Sequence, residues 1–233
     1  MAVQALQEKI RTSQDEDERR LLAVKIYGEL MASMEDLGAL CIAVRHRLDG
    51  VGLVHAYLTY ETRRPSAPVT TLKDIYRRAA KGNALVSSLR LPPLDDILQK
   101  IPDLSGTILP ELYREANHLL AAVARAYLYD QSAFVRGYNK TKHGFPVVKD
   151  KHLFQPDPPL IVPETAWIVS ENPSYHPDKR LESPVVELYE VELGHVDGMV
   201  ELIATIRGAV AVICRLTENL LERSLISTAD DKA

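Results

Sequence analysis

A short basic segment holds the residue types best suited to phosphate chemistry. The stretch RGYNKTKHGF, residues 136–145, combines an arginine, two lysines and a histidine with two glycines and an asparagine. Arginine and lysine side chains bind phosphate oxygens, and glycine lets backbone N–H groups approach an anion closely because it has no Cβ atom. The segment therefore predicts a phosphate-binding site, with a polar surface loop as the alternative.

Two residues of this segment could carry catalysis. Like-charge repulsion from the neighbouring cations favours the neutral form of His143, which could then accept the proton of a ribose 2′-hydroxyl group. Arg136 would hold the phosphate with its planar fork and stabilise the charge of the transition state. This composition is typical of an RNA-cleaving site. The neighbouring side chains that would position the phosphate are Tyr138, Asn139, Lys140 and Lys142.

The pair of Arg136 and His143, with six residues between them, follows a long predicted helix. An Arg followed by a His in this way resembles the signature of the HEPN superfamily (higher eukaryotes and prokaryotes nucleotide-binding). The resemblance covers this motif and a general helical plan. It implies binding of RNA or nucleotide, leaves open whether the protein is a metal-independent endoribonuclease, and implies a homodimer, since many members act as dimers.

The spacing of Arg136 and His143 constrains how they could act together. In an unbroken helix they would lie about 10.5 Å apart along the axis, too far to hold one phosphate through short side chains. A turn between Gly137 and Thr141, or a second subunit, would close this gap. We therefore expect either a break in the helix or a site that two copies of the chain share.

The spacing Glu-x-x-His occurs twice and indicates a different kind of site. Glu115 and His118 form one pair, and Glu192 and His195 form the other. In four-helix carboxylate-bridged metal proteins such pairs point inward from two helices, and each of the other helices adds a glutamate. Glutamates that could complete such a set are Glu29 and Glu35. A less favoured alternative is therefore a carboxylate-bridged metal protein that uses Glu115 and His118.

A further alternative is a non-enzymatic helical interaction protein, in which the turn at residues 136–145 is an exposed partner surface. The sequence contains neither a phosphate loop nor a Rossmann glycine pattern, and it lacks the order of residues of a Ser-His-Asp triad. We predict no cofactor and no bound metal in the favoured interpretation.

Most of the chain carries apolar residues at helical spacing. LPPLDDILQKIPDLSG has room for one or two helical turns between prolines. The longer segments that this spacing predicts to be helical are residues 15–62, Leu72 to Lys81, about Ile108 to Phe134, and about His195 to Leu225.

A different pattern lies between the last two long helices. The runs FPVV, HLF, LIVPETAWIVS and PVVELYEVEL are β-branched or aromatic and are separated by proline, asparagine and aspartate. We therefore predict a mainly α protein: a bundle of four or five helices with a small antiparallel β insertion at about residues 145–192, before the last long helix. The bundle would form a single domain over residues 1–233, with a disordered tail at about 227–233.

Composition narrows the class of protein. The chain has 233 residues and a formal net charge of −4, so an anion site must be a local feature. No run approaches the roughly 18 apolar residues of a membrane span, and we expect a cytoplasmic protein without a membrane partner. The two cysteines, Cys41 and Cys214, lie in apolar helical patterns and are typical of small buried hydrophobic residues.

Overall fold

The computed structural model describes residues 2–47, 72–129, 147–148, 165–171, 186–223 and 225–226. Helices account for most of these residues, which confirms the mainly α prediction. The helices of this part of the chain are α1 (Ala2–Thr12), α2 (Glu16–Arg47), α3 (Leu72–Ala79), α4 (Ala84–Leu89), α5 (Leu94–Lys100), α6 (Leu109–Tyr129) and α7 (Val196–Glu222), with short 3₁₀ turns at Pro102–Gly106 and Leu193–His195.

The long helices begin close to their predicted starts. Helix α2 begins at Glu16, α6 at Leu109 and α7 at Val196. The predicted continuations of α2 over residues 48–62 and of α6 over residues 130–134 lie outside the described residues. Helices α1 and α4 are additional to the predicted elements.

A three-stranded antiparallel sheet lies within the predicted β-rich segment. Its strand order is β1-β2-β3, and its register places Trp167 opposite Glu190 on one side and Val148 on the other. The predicted run HLF and the tail at 227–233 lie outside the described residues. The strands are β1 (Val147–Val148), β2 (Thr165–Glu171) and β3 (Val186–Glu192).

The chain divides into two compact units. The first comprises Met1–Ala32 and Asp130–Ile203, and the second comprises Ser33–Tyr129 and Ala204–Ala233. Helices α2 and α7 each contribute residues to both units. A single domain and a bundle of four or five helices therefore stay predictions.

In the first unit, polar contacts join α1 to the start of α7. Gln7 Nε2 donates to Asp197 Oδ1 at 2.6 Å, and Arg11 Nη2 donates to the same oxygen at 3.0 Å. The hydrogen bond from Gln7 and the charge of Arg11 lower the pKa of the Asp197 carboxyl group. Its negative charge also suits the first turn of a helix. Because these groups are exposed, their contacts contribute little to stability.

The start of α2 in the same unit is a capped and charged turn. Asp15 Oδ1 accepts hydrogen bonds from the backbone N–H groups of Asp17 at 2.9 Å and Glu18 at 3.2 Å, which satisfies donors that a helix leaves open. The side chain of Arg20 is only 4% exposed and pairs with Glu16 and Asp17, each at 2.9 Å. The buried guanidinium group is therefore neutralised within its own helix.

In the second unit, Tyr76 joins three helices. Its side chain is fully buried, and its hydroxyl group donates to the backbone carbonyl oxygen of Met34 in α2. Its ring lies 4.5 Å from the ring of Tyr127 in α6, measured between centroids. Burial raises the pKa of Tyr76 well above its ordinary value, so the hydroxyl group stays protonated and remains a donor. Tyr76 therefore fixes the inner face of α3 against α2 and α6.

A tight turn connects α3 to α4. Gly82 has a φ of +131°, a backbone conformation that L side chains rarely adopt, and it ends the helical turn that precedes it. The side chain of Asn83 then caps α4 by accepting from the N–H group of Val86 at 3.4 Å. Ser87 Oγ donates back to the carbonyl oxygen of Arg78 at 2.9 Å. The two helices thus form a hairpin with a defined geometry.

Arg45 of α2 holds the other end of α4. Its Nη1 donates to the carbonyl oxygen of Ser88 at 2.9 Å, and the Arg45 side chain is largely buried. A cation suits this position because the last carbonyl groups of a helix carry partial negative charge. Helix α4 has only six residues, so it depends on tertiary contacts such as this one.

The helices of the described residues include none that is both long and apolar enough to cross a lipid bilayer.

We predict that Tyr76→Phe lowers the free energy of unfolding by about 1 kcal/mol, because the Met34 carbonyl oxygen loses a buried donor. Tyr127→Phe is the matched control, since the Tyr127 hydroxyl group has no hydrogen-bond partner among the described residues. Urea unfolding followed by circular dichroism measures both variants. Equal losses of stability in the two variants would show that the hydrogen bond to Met34 contributes nothing.

Candidate functional site

The residues predicted to bind phosphate or to catalyse lie outside the described residues. They are Arg136, Tyr138, Asn139, Lys140, Lys142 and His143. Helix α6, which leads toward them along the chain, is described as far as Tyr129. The distance between Arg136 and His143, and the alternatives of a break near Gly137 or a site shared by two subunits, therefore stay untested predictions.

Helix α6 is anchored along one face as it approaches this segment. Leu112, Val123 and Tyr127, which recur at helical spacing along α6, are buried. Leu119 is half-buried, because Leu120 occupies the fully buried position one turn after Ala116. The helix that precedes the candidate site is thus held by packing up to its last turn.

Both Glu-x-x-His pairs lie at the surface. Glu115 and His118 are exposed on α6. His195 Nε2 lies 3.6 Å from Glu192 Oε2, but these side chains are 72% and 48% exposed, at the junction between β3 and α7. Within the described residues, no group of three or more His, Cys, Asp or Glu side chains is placed to hold a metal ion. The inward-facing arrangement of a carboxylate-bridged centre is not formed by either pair.

The two cysteines have the environment of apolar residues. Burial raises the pKa of the Cys41 thiol to about 12, with a smaller contribution from the neighbouring Cys214. Cys214 is half-buried, and burial raises its pKa as well. Because the thiolate is the nucleophilic form, neither side chain is activated for covalent catalysis.

The outer face of α3 is a cationic surface that the sequence analysis missed. Lys73, Arg77, Arg78 and Lys81 are exposed, and we call these four residues the α3 basic surface. They face away from the buried residues of the helix, which are Ile75, Tyr76 and Ala79. The pattern LKDIYRRAAK shows this amphipathic arrangement once the helix is recognised, since cations recur at every fourth residue.

We predict that Cys41 resists alkylation in the native protein. With a pKa of about 12 it carries roughly a thousandfold less thiolate at pH 8 than an ordinary thiol. Iodoacetamide labelling of Cys214→Ser, which leaves Cys41 as the single thiol, measures its rate with and without urea. Native labelling as fast as labelling in urea would contradict the burial of this side chain.

The chain matches no family model, and no curated protein or solved structure is detectably similar to it. Its function is therefore inferred from its own residues.

Proposed function

We propose that this protein binds RNA or nucleotide in the manner of the HEPN superfamily, through the basic segment at residues 136–145. The observation that carries the proposal is the combination of arginine, lysine, histidine and glycine in RGYNKTKHGF, a segment that follows helix α6 along an acidic chain. Phosphate groups are the ligands that such a combination binds best. The helical character of the described residues and the packing of α6 are consistent with this proposal.

RNA cleavage is the reaction that the proposed site could perform. His143 would remove the proton from a 2′-hydroxyl group, and Arg136 would bind the phosphate and stabilise the added negative charge. Lys140, Lys142 and Asn139 would hold the phosphate in place, with Tyr138 as a further donor. Such a reaction needs no metal ion, because protein side chains supply both the base and the positive charge.

A homodimer is part of the proposal. The separation of about 10.5 Å that an unbroken helix would impose on Arg136 and His143 can be overcome if two copies each contribute to one site. A break in the helix would serve the same purpose within one chain. The oligomeric state in solution distinguishes these two arrangements, and we propose that the protein acts as a dimer in the cytoplasm.

The surface positions of Glu115 and His118 favour this proposal over a metal-carboxylate enzyme. A bridged metal centre requires several carboxylates directed into one interior space. Glu115 and His118 are instead exposed on one helix, where they suit contact with water or with a partner. His118 is therefore a useful control for the role of His143.

We predict that the purified protein cleaves single-stranded or structured RNA in the presence of EDTA, and that His143→Ala lowers the rate at least about 100-fold, because the general base is lost. Arg136→Ala should weaken RNA binding and also lower the rate. His118→Ala, the matched control, should leave both unchanged. Gel analysis of labelled RNA measures cleavage, and fluorescence anisotropy measures binding.

The outcomes separate the two parts of this proposal. Equal cleavage by wild type and His143→Ala would remove His143 from the reaction. RNA binding without any cleavage would show that the protein binds RNA and does not act as a ribonuclease on the substrates tested. Binding that is equally strong in wild type and in the Arg136→Ala, Lys140→Ala double variant would show that residues 136–145 are not the site.

A further inference from the structure

We propose that the α3 basic surface, formed by Lys73, Arg77, Arg78 and Lys81, binds the phosphate backbone of RNA, in addition to the binding proposed for residues 136–145. The inference rests on the geometry of α3, and it does not depend on a catalytic role for Arg136 or His143.

The four cations form one continuous arc on the helix. At 3.6 residues per turn they cover about 140° of its circumference, and the sequence Lys73, Arg77, Lys81 advances about 6 Å along the axis at each step. Helical hydrogen bonding continues past the end of α3, since the N–H group of Ala80 bonds to Tyr76 at 3.0 Å and that of Lys81 bonds to Arg78 at 3.1 Å. An extended chain of phosphates can therefore contact several of these cations at once.

The buried side of α3 holds the arc of cations in place. Ile75, Tyr76 and Ala79 have no exposed surface, and they occupy the opposite side of the same helix. Ser87 Oγ of α4 lies 2.9 Å from the Arg78 carbonyl oxygen and 2.7 Å from that of Asn83, so its one proton is shared between the end of α3 and the start of α4. The backbone that carries the cations is therefore preorganised, and binding a phosphate chain would order only the side chains themselves.

Among the residues that the structure describes, the cations of α3 lack the carboxylate partners that cations of the first unit have. Lys9, Arg11 and Arg20, in the first unit, each lie within 4.0 Å of a carboxylate oxygen. None of the four residues of the α3 basic surface forms an ion pair with any residue that the structure describes. Four positive charges thus lie close together with no ion-pair partner among the described residues, in a chain whose net charge is −4.

One acidic residue lies within this arc. Asp74 is half-buried and is the only acidic residue of α3. It offsets one positive charge at most, so the surface keeps an excess of positive charge and a clear preference for anions.

The surroundings of the arc favour a phosphate chain over a protein or a membrane. Protein interfaces and membrane-bound helices need exposed apolar side chains at their centre. The large hydrophobic side chains exposed in the described part of the chain are Leu21 and Ile108, and neither belongs to α3. Contact with a nucleic-acid backbone, in contrast, depends mainly on positive charge, and the two arginines add planar forks that suit phosphate oxygens.

The test is the salt dependence of binding to a fluorescent single-stranded RNA, measured by anisotropy with the full chain. The triple variant Lys73→Gln, Arg77→Gln, Lys81→Gln removes three charges and keeps helix propensity nearly constant. We expect the slope of log Kd against log salt concentration to become smaller by about 2, because each phosphate contact on a single strand contributes about 0.7. At about 0.1 M salt the affinity should fall roughly tenfold or more.

A matched control removes the same number of exposed positive charges from α7 and the residue that follows it. The three positions are Arg207, Arg215 and Arg223, each changed to Gln. This variant should keep the slope and affinity of the wild type. The charge-preserving variant Lys73→Arg, Lys81→Arg should also bind as the wild type does, and circular dichroism confirms that all variants fold.

Several results would overturn the inference. They are the absence of RNA binding by the wild type, an unchanged slope in the α3 variant, and equal weakening in the α7 control, which would reveal only an effect of net charge. Tighter binding to phosphatidylserine vesicles or to polyglutamate than to RNA, with the same sensitivity to the α3 variant, would assign the surface to a membrane or to an acidic protein.

The same binding experiment distinguishes a failure of the α3 inference from a failure of the proposed function. If the α3 variant binds RNA weakly while Arg136→Ala binds normally, the result supports RNA binding by the α3 basic surface and contradicts a binding site at residues 136–145. If Arg136→Ala binds weakly while the α3 variant binds normally, the inference about α3 fails and the proposed function stands.

Discussion

The second unit depends on the complete burial of Tyr76. A buried hydroxyl group requires a hydrogen-bond partner, and the carbonyl oxygen of Met34 supplies it, while the ring of Tyr127 covers the aromatic face. Together these contacts hold α3 in its orientation between α2 and α6. The same orientation directs the outer face of α3, with its cations, to the solvent. A packing constraint in the core thus determines which charges a ligand can reach.

The charges of the protein are arranged unequally along the chain. In the first unit, Arg20 is buried and neutralised by carboxylates of its own helix, and Asp197 binds two donors from α1. The α3 basic surface and the segment at residues 136–145 carry cations in excess instead. Because the net charge is negative, the protein as a whole does not attract RNA. Recognition would therefore be confined to these two places, and it would weaken as salt concentration rises.

The sequence predicts the elements whose own residues determine them, and it misses those that depend on distant partners. Helices α6 and α7 have long apolar stripes, so their spacing is sufficient. Helix α1 buries only Val3 and Ile10, and its contacts to Asp197 cannot be foreseen from local pattern. The register of Trp167 with Glu190 is likewise a tertiary property. Among candidate sites, the cations of α3 are visible in the sequence, but their common exposure follows from the burial of Tyr76. The site around Arg136 and His143 remains a prediction from residue chemistry.

We propose that RNA covers the α3 basic surface and residues 136–145, and lysine footprinting tests this most directly. The protein is acetylated with and without excess single-stranded RNA, and the modified lysines are quantified by mass spectrometry. We expect RNA to protect Lys73 and Lys81 of α3 together with Lys140 and Lys142, while the exposed residues Lys25 and Lys100 react equally in both samples. Uniform protection of all lysines, or protection of Lys25 and Lys100 alone, would contradict the account.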